Sequence, residues 1–334
     1  MDLANGDRGP RVAVHGLGAI GGLFAARLAR AGAAVSGIGR GANLEAIRRD
    51  GVRLIEAEDQ PVTAYPITVT EDPAELGPQD IVIIAVKAAG LGDVAAGLPA
   101  LLGPQTTVVS AMNGVPWWFF ARRARPPAAL PSLDPHGLGD LVDPDRVLGA
   151  VVHLSASRPE PGLVSRTADN RLVIGRPGAA ADDPLTAHTA ELFARAGFAT
   201  ERSDSIEQEI WFKLWGNLTM NPLSAITGST VDLLLDDPAV RGFATACMRE
   251  AAAVGAAMGI EIDTDPEQRH TLTRRLGAVR TSMLQDVEAG RPVELDSLVT
   301  IVTEIASAYS VPTPNIDLLH GLARAHARAH GLVA

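Results

Sequence analysis

The chain has 334 residues, of which 46% are hydrophobic, and a formal net charge of −10. This length suggests two domains, and the apolar content is ample for two cores. The acidic balance argues against nucleic acid and against an anionic membrane as partners. The single cysteine excludes an internal disulfide framework, and no cluster of cysteines and histidines has zinc spacing. We therefore expect no metal site.

A glycine-rich turn dominates the N-terminal part of the chain. It follows a short apolar strand at Val12 to His15 and precedes an alanine-rich helix that ends at Arg30. The turn has the G-x-G-x-x-G pattern, in which backbone and helix N-terminus receive the pyrophosphate of a dinucleotide. Its residues are Gly16, Leu17, Gly18, Ala19, Ile20 and Gly21. Because this pattern explains the apolar run better than a secretion signal does, we expect a cytoplasmic protein.

Arg40 is the residue that bears on cofactor choice. A second strand is predicted at Ala33 to Ile38, and Arg40 stands 19 residues after Gly21, where an NAD site places an acid on the ribose. An arginine suits a 2′-phosphate instead, so the sequence favours NADP(H). The alternative is a surface arginine that binds no ligand.

Two more polar residues stand where predicted strands end. Lys87 closes an apolar run that starts at Asp80, and Asn113 follows a strand at Thr106 to Ala111. Such runs are typical of parallel strands that are buried on both faces. Since open α/β sheets bind ligands at the carboxyl ends of their strands, both residues are candidate binding residues. For Asn113, simple turn chemistry is the alternative.

The segment from Val115 to Asp145 has no periodic pattern. A loop this long is more often functional than idle. It carries two of the four tryptophans, Trp117 and Trp118, and the other two flank Lys213. We predict that these aromatic side chains meet over the site, although a helix packed on the sheet edge would bury them as well.

The rest of the chain changes from strands to helices. Strands are predicted at Val147 to Ser155 and Leu172 to Gly175, before a helix at Pro184 to Ala196. We place the domain boundary at 203/204, with an NADP-binding domain over 1–203 and a helical substrate domain over 204–334. The helices predicted beyond that boundary are the one around Lys213, Pro238 to Met258, Pro266 to Ala289, Leu295 to Tyr309 and Asn315 to His330.

The helix around Lys213 carries an unusual polar stripe. Lys213, Asn217 and Asn221 are four residues apart, so they share one helix face. Asparagine is a mediocre helix former, and two of them in register need a reason. A substrate-binding face is one reason, and a buried polar network that tightens a helix pair is the other.

A count of basic residues singles out Lys213. The chain has 29 basic residues, and only two of them, Lys87 and Lys213, are lysines. Arginine cannot release its proton in a protein, whereas lysine can, and burial moves the pKa of a lysine toward neutrality. A lysine kept between amide side chains is therefore a candidate proton donor.

With these residues assembled, the sequence resembles the ketopantoate reductase (2-dehydropantoate 2-reductase) family over nearly the whole chain. Beside the residues above, the K-x-x-x-N-x-x-x-N-P-L-S-A run from Lys213 and the segment from Ser282 to Asp296 carry the resemblance. It implies an α/β fold with an N-terminal Rossmann-type parallel-sheet domain and an all-helical C-terminal domain. It also implies NADPH-dependent reduction of a 2-oxo acid, as in pantothenate biosynthesis.

The resemblance also implies roles for individual residues. Lys213 would be the general acid, with Glu294 as a second catalytic residue. The substrate would be held by Asn113, Asn217, Asn221 and Ser282. The cofactor would be held by the glycine-rich turn together with Arg40, Lys87, Asn113, Leu154 and Glu294.

The identity of the substrate stays open at this point, because the segment from 115 to 145 is longer than the link we associate with pantoate synthesis. One alternative is a reductase of the same mechanism that acts on a bulkier or aromatic 2-oxo acid. Another is a non-catalytic NADP-binding sensor. The expected partners are a small 2-oxo acid and, in a homodimer, a second copy of the chain.

Overall fold

The computed structural model describes residues 9–123, 127, 129–275 and 277–333. The chain divides into two compact units, which we name the sheet unit and the helical unit. The sheet unit comprises Met1–Met112, Trp118–Arg122 and His136–Ile206. The helical unit comprises Asn113–Trp117, Arg123–Pro135 and Glu207–Ala334.

One sheet forms the centre of the sheet unit, with ten strands in the part of the chain that the structure describes. The strands are β1 (Arg11–His15), β2 (Ala34–Ile38), β3 (Val52–Ile55), β4 (Thr63–Tyr65), β5 (Thr68–Thr70), β6 (Ile81–Ile84), β7 (Thr107–Ser110), β8 (Val147–Glu160), β9 (Leu163–Gly175) and β10 (Ala199–Arg202). Their order is β4-β3-β9-β8-β7-β6-β1-β2-β5, and β10 also pairs with β9. The pairs β3–β4 and β8–β9 are antiparallel, whereas the others are parallel.

The strand order reverses at β1, which pairs with β2 on one side and with β6 on the other. Open α/β sheets bind ligands at such a reversal, outside the carboxyl ends of the strands. Here β1 ends at His15, directly before the glycine-rich turn, and β6 ends at Ile84, three residues before Lys87. The topology therefore supports a ligand site at the predicted turn.

Helices of the sheet unit pack on this sheet and complete its core. They are α1 (Ala19–Arg30), α2 (Gly41–Asp50), α3 (Leu91–Leu101), α4 (Leu138–Leu141) and α5 (Pro184–Arg195). Val12 and Val14 of β1 are fully buried together with Phe24 of α1 and Phe193 of α5, whose rings lie 5.4 Å apart. Burial of one such side chain contributes about 1.5–3 kcal/mol, so these contacts fix α1 against β1.

The hairpin of β8 and β9 extends beyond what the sequence pattern predicts. β8 continues past the predicted end at Ser155 to Glu160, and β9 begins earlier than predicted, at Leu163. Pro161 and Gly162 form a two-residue turn in which Gly162 has a φ of +75°, and the two strands therefore run antiparallel. The outer half of this hairpin is mostly polar, which is why an apolar pattern does not reveal it.

The described part of the helical unit is built of helices. They are α6 (Ile206–Thr227), α7 (Val231–Asp236), α8 (Pro238–Ala257), α9 (Pro266–Arg274), α10 (Ser282–Glu288), α11 (Ile301–Ala308) and α12 (Pro314–Ala329), and a π-helical turn at Asp296–Thr300 leads into α11. The predicted fold class, an α/β Rossmann-type sheet domain followed by an all-helical domain, is confirmed. None of the described helices has the length and apolar character needed to cross a membrane.

The single helix predicted from Pro266 to Ala289 is wrong, because α9 and α10 are separate helices. Gly277, between them, has a φ of +73°, a left-handed conformation that ends helices. The hydroxyl of Thr281 then accepts a hydrogen bond from the N–H of Leu284 and caps the start of α10.

Two tryptophans fix α6 against α8. Trp211 and Trp215 are each 1% exposed, and their indole N–H groups donate to the carbonyls of Ala251 at 3.2 Å and Met248 at 2.7 Å. Gly255 leaves room for this contact, because a Cβ there would lie 2.4 Å from Trp211 Nε1. The prediction that all four tryptophans meet over the site is therefore wrong for these two.

The other two tryptophans are buried as well. The ring of Trp118 packs on β8, where a Cβ on Gly149 would lie 2.5 Å from Trp118 Cη2. This contact gives Trp118 a packing role in the sheet unit, from a turn rather than from a helix and on an interior strand rather than on a sheet edge.

Candidate functional site

The glycine-rich turn between β1 and α1 has the geometry that its motif requires. Gly16 has a φ of +98°, and its N–H donates to the carbonyl of Ile38 at 2.9 Å. A Cβ on Gly21 would lie 1.8 Å from Gly16 O, so only glycine lets α1 approach the turn this closely. These contacts place the N-terminus of α1 at the carboxyl end of β1.

Gly18 differs from the other two glycines of the motif. Its φ of −71° is open to any residue, and a Cβ there would meet no heavy atom of the described residues within 4 Å. The fold of the described chain therefore does not require glycine at this position. Since α1 also begins without a side-chain cap, its first N–H groups can receive an anion. The open space at Gly18 fits the close approach of a pyrophosphate.

Gly18→Ala is expected to leave the melting temperature unchanged and to weaken dinucleotide binding by about tenfold, the equivalent of one backbone hydrogen bond. Thermal unfolding and fluorescence titration with NADPH measure the two effects. Gly21→Ala is the matched comparison, because its Cβ would overlap Gly16 O, and it should lower the melting temperature too. Unchanged affinity of Gly18→Ala would place the pyrophosphate elsewhere.

Asn43 of α2 supports the turn, although it belongs to no motif in the sequence. Its Nδ2 donates to the carbonyl of Leu17 at 2.8 Å, and its Oδ1 accepts from the N–H of Gly162 at 2.9 Å. Asn43 thereby ties the turn to the β8–β9 hairpin. Its partners lie 26 and 119 residues away, so no local pattern marks it.

The structure places the remaining predicted cofactor residues of the sheet unit as follows. Arg40 lies just past β2, and its Nη1 is 3.0 Å from Asp93 Oδ2, with side chains 81% and 63% exposed. An ion pair this exposed contributes about 0–1 kcal/mol, so a phosphate can compete for the arginine. Lys87 is exposed after β6. Leu154 lies on β8, partly buried against the apolar core.

Lys213 is the centre of the candidate site in the helical unit. Its Nζ donates to Asn113 Oδ1 at 2.9 Å. Loss of water around the ammonium group lowers the pKa of Lys213 to about 8, and the charge of the Glu294 carboxylate opposes this shift. A proton donor works best when its pKa is close to the operating pH, which is the condition that Lys213 meets.

Asn113 is held in place by the residues that follow it. Gly114 has a φ of +82°, and the N–H of Val115 donates to the carbonyl of Ser297 at 3.1 Å. A Cβ on Gly114 would lie 2.0 Å from that same carbonyl oxygen. The contact joins the Asn113 loop to the π-helical turn that follows Glu294 in the chain. Such turns are frequent at functional sites.

The other predicted substrate residues lie on α6 and α10. Asn217 and Asn221 belong to one continuous helix, with Asn217 partly exposed and Asn221 5% exposed. The hydroxyl of Ser224 donates to the carbonyl of Asn221 at 3.0 Å and bonds the hydroxyl of Thr281. Thr281 caps α10, whose first residue is Ser282. This chain of bonds links the backbone of α6 at Asn221 to the start of α10.

The structure thus brings together Lys213, Asn113 and Glu294, and the helix repeat places Asn217 on the same face as Lys213. Ser282 is not part of this hydrogen-bonded group. Its side chain is exposed and makes no hydrogen bond with the described residues. An ammonium group beside an amide oxygen and a carboxylate can donate a proton to an oxyanion, which is general acid chemistry.

Two family models match the chain. The model described as "Ketopantoate reductase PanE/ApbA" matches residues 12–178, and "Ketopantoate reductase PanE/ApbA C terminal" matches residues 205–327. The 2-dehydropantoate 2-reductase of Mesorhizobium japonicum is 39% identical over 318 residues, which cover 94% of this chain and 97% of that protein.

Solved structures show the same similarity. The crystal structure of a ketopantoate reductase homologue from Ralstonia solanacearum MolK2 superposes with a TM-score of 0.91 at 48% identity, covering 97% of this chain and 99% of that one. The ternary structure of D-mandelate dehydrogenase with NADH and anilino(oxo)acetate gives a TM-score of 0.81 at 21% identity, covering 96% and 99%. The second likeness concerns the fold alone.

Proposed function

Because the chain belongs to the ketopantoate reductase family, whose members are oxidoreductases acting on CH–OH groups, we propose that it reduces a 2-oxo acid to a 2-hydroxy acid with NADPH. Ketopantoate is the first candidate substrate, since curated relatives are named 2-dehydropantoate 2-reductases. The observation that supports the reaction best is the 2.9 Å hydrogen bond between Lys213 and Asn113, at a lysine whose pKa is lowered to about 8.

The proposed step moves one hydride and one proton. NADPH, when bound, supplies the hydride to the oxo carbon of the substrate. The oxo oxygen then carries the developing negative charge, and the Lys213 ammonium gives it a proton. Asn113 Oδ1 accepts one N–H of Nζ and so directs the others. The Glu294 carboxylate favours the protonated lysine, which opposes the effect of burial.

We propose that the amide and hydroxyl side chains around Lys213 hold the substrate carboxylate and side chain. Asn113, Asn217 and Asn221 each carry an N–H₂ donor, and Ser282 presents an exposed hydroxyl at the N-terminus of α10. Lys87 and Leu154 stay proposed cofactor contacts. The homodimer and the cytoplasmic location also stay predictions.

Arg40→Ala is expected to weaken NADPH binding far more than NADH binding, by about 10–100-fold for a charge-assisted contact of roughly 1.5–3 kcal/mol. The reason is that only NADPH carries a 2′-phosphate for the guanidinium. Titration of both cofactors measures the difference. Asp93→Ala is the matched variant, since it removes the partner of Arg40 and should leave NADPH bound at least as tightly. Equal losses for both cofactors would mean that Arg40 does not bind the 2′-phosphate.

A panel of 2-oxo acids with NADPH tests the function directly. We expect NADPH oxidation with ketopantoate, measured by absorbance at steady state. The panel includes 2-oxo-2-phenylacetate, because D-mandelate dehydrogenase has the same fold and was solved with an aromatic oxo compound. A strong preference for that acid would favour the reductase of a bulkier substrate. No oxidation with any acid would contradict the proposed reaction and leave the NADP-binding sensor.

A further inference from the structure

Arg269 on α9 is a partly buried cation that the proposed reaction does not use. Its guanidinium carbon lies 5.2 Å from the centroid of the Phe212 ring. A Cβ on Gly216 would lie 3.4 Å from both Nε and Nη2 of Arg269. The guanidinium therefore lies along the side of α6, in the space that Gly216 leaves open.

No acid neutralises this arginine within the described residues. Its Nε is buried without a hydrogen-bond partner, and burial lowers the pKa of Arg269 with no carboxylate acting against the shift. The arginines nearby are different, because Arg241 pairs with Glu267 and Arg274 pairs with Asp236. Glu267 and Asp236 are thus already bonded to other arginines.

Packing alone does not account for this arrangement. Stacking on Phe212 stabilises the cation but leaves the buried Nε–H of the guanidinium without an acceptor. A partly desolvated cation with a buried, unpaired N–H is unfavourable unless an anion reaches it. The arrangement is that of an anion site whose anion comes from outside the chain.

The position of Arg269 along α6 indicates which anion this is. Gly216 stands one residue before Asn217 and three residues after Lys213, so Arg269 reaches α6 at the level of the proposed substrate residues. A planar guanidinium binds a carboxylate through two parallel hydrogen bonds, and the proposed substrate carries a carboxylate.

We propose that Arg269 binds a carboxylate of the 2-oxo acid and so selects anionic substrates. This inference rests on the proposed function, because it names the substrate group that Arg269 recognises. Two sources supply the carboxylate. One is the C1 carboxylate that every 2-oxo acid carries, and the other is the second carboxylate of a dicarboxylic 2-oxo acid.

Binding of three ligands of equal chain length, measured by titration calorimetry with NADP⁺ present, separates these sources without turnover. The ligands are 2-oxopentanoate, 2-oxoglutarate and the methyl ester of 2-oxopentanoate. We expect the wild type to bind at least one acid better than the neutral ester. Arg269→Gln should lower the affinity for that acid by about 10–100-fold and the affinity for the ester by less than about threefold. Arg269→Lys should restore part of the loss, because it keeps the charge.

Arg275→Gln is the matched control, since Arg275 is exposed just after α9 and its substitution also removes one charge. It should leave all three affinities unchanged. A loss limited to 2-oxoglutarate assigns Arg269 to the second carboxylate, and equal losses for both acids assign it to C1. Any of three results overturns the inference. The wild type binds neither acid better than the ester, or Arg269→Gln lowers the affinity for all three ligands equally, or Arg269→Gln changes none of the three affinities.

The proposed reaction and the proposed carboxylate site can be tested independently of each other. Absence of NADPH oxidation, with the acid selectivity intact in the wild type and lost in Arg269→Gln, would refute the reductase and leave the carboxylate site standing. Turnover of the acids, with binding that does not change in Arg269→Gln, would support the reductase and refute the carboxylate site.

Discussion

Lys213→Arg and Lys213→Ala are both expected to lower kcat by roughly 10²–10⁴-fold, the usual scale of general acid catalysis. Alanine removes the donor, whereas arginine keeps the charge but holds its proton too tightly and has a different geometry. NADPH affinity should change little, because the proposed role of Lys213 is toward the substrate. Steady-state NADPH oxidation and cofactor titration measure the two halves of this result.

The pH dependence gives a second readout of the same residue. In the proposed mechanism the protonated lysine is the active form, and its pKa is about 8, so kcat should be level at lower pH and fall as pH rises through that value. The Lys213 variants should lose this alkaline decrease. Lys87→Arg, at the only other lysine, should keep the alkaline decrease whatever its effect on the rate.

Two results would contradict the proposed role of Lys213. Near-normal turnover of Lys213→Arg would mean that only a charge is needed, and a collapse of NADPH binding in the Lys213 variants would assign Lys213 to the cofactor.

Gly114→Ala is expected to lower kcat by about 10²-fold, although residue 114 carries no functional group. The new Cβ would lie 2.0 Å from Ser297 O, and the φ of +82° adds strain. The loop must then leave the π-helical turn, and the hydrogen bond between Asn113 and Lys213 is displaced with it. A displacement of about 1 Å at a reacting group can cost this much rate.

Gly228→Ala is the control that separates strain from displacement. Gly228 has a similar φ of +69°, but a Cβ there would meet no atom of the described chain within 4 Å. It should lower the melting temperature through strain alone and leave kcat within about twofold. If the two variants lose the same activity, the contact with Ser297 does not position Asn113.

Local patterns were enough to predict the elements that form the centre of each unit. β1, β6 and β7 are buried on both faces, so each appears as an unbroken apolar run. The short edge strands β4 and β5 did not show in the pattern, because each has three residues and most of them are exposed or partly exposed. Their pairing is decided by neighbours in the sheet, which a sequence window does not contain.

The same distinction holds for the candidate site. Lys213, Asn217 and Asn221 were predicted to share a face because one helix period relates them, whereas the bond from Lys213 to Asn113 spans 100 residues. Asn113 was identified from its place after a strand, without its partner. Arg269 was not identified at all, since being unpaired depends on where every acid of the region lies. No local residue pattern records that.

Because the chain has only two lysines, acylation of Lys213 can be followed as a selective chemical modification. At a pH equal to its pKa of about 8, about half of Lys213 is a neutral amine, the form that acylating reagents attack. Many arginines separate it from Lys87, so proteolysis leaves the two in different peptides. The acylation rate of the Lys213 peptide, followed by mass spectrometry, then reports ligand occupancy directly, because a bound acid shields the amine. Ligands could thus be screened without knowing which of them the enzyme turns over.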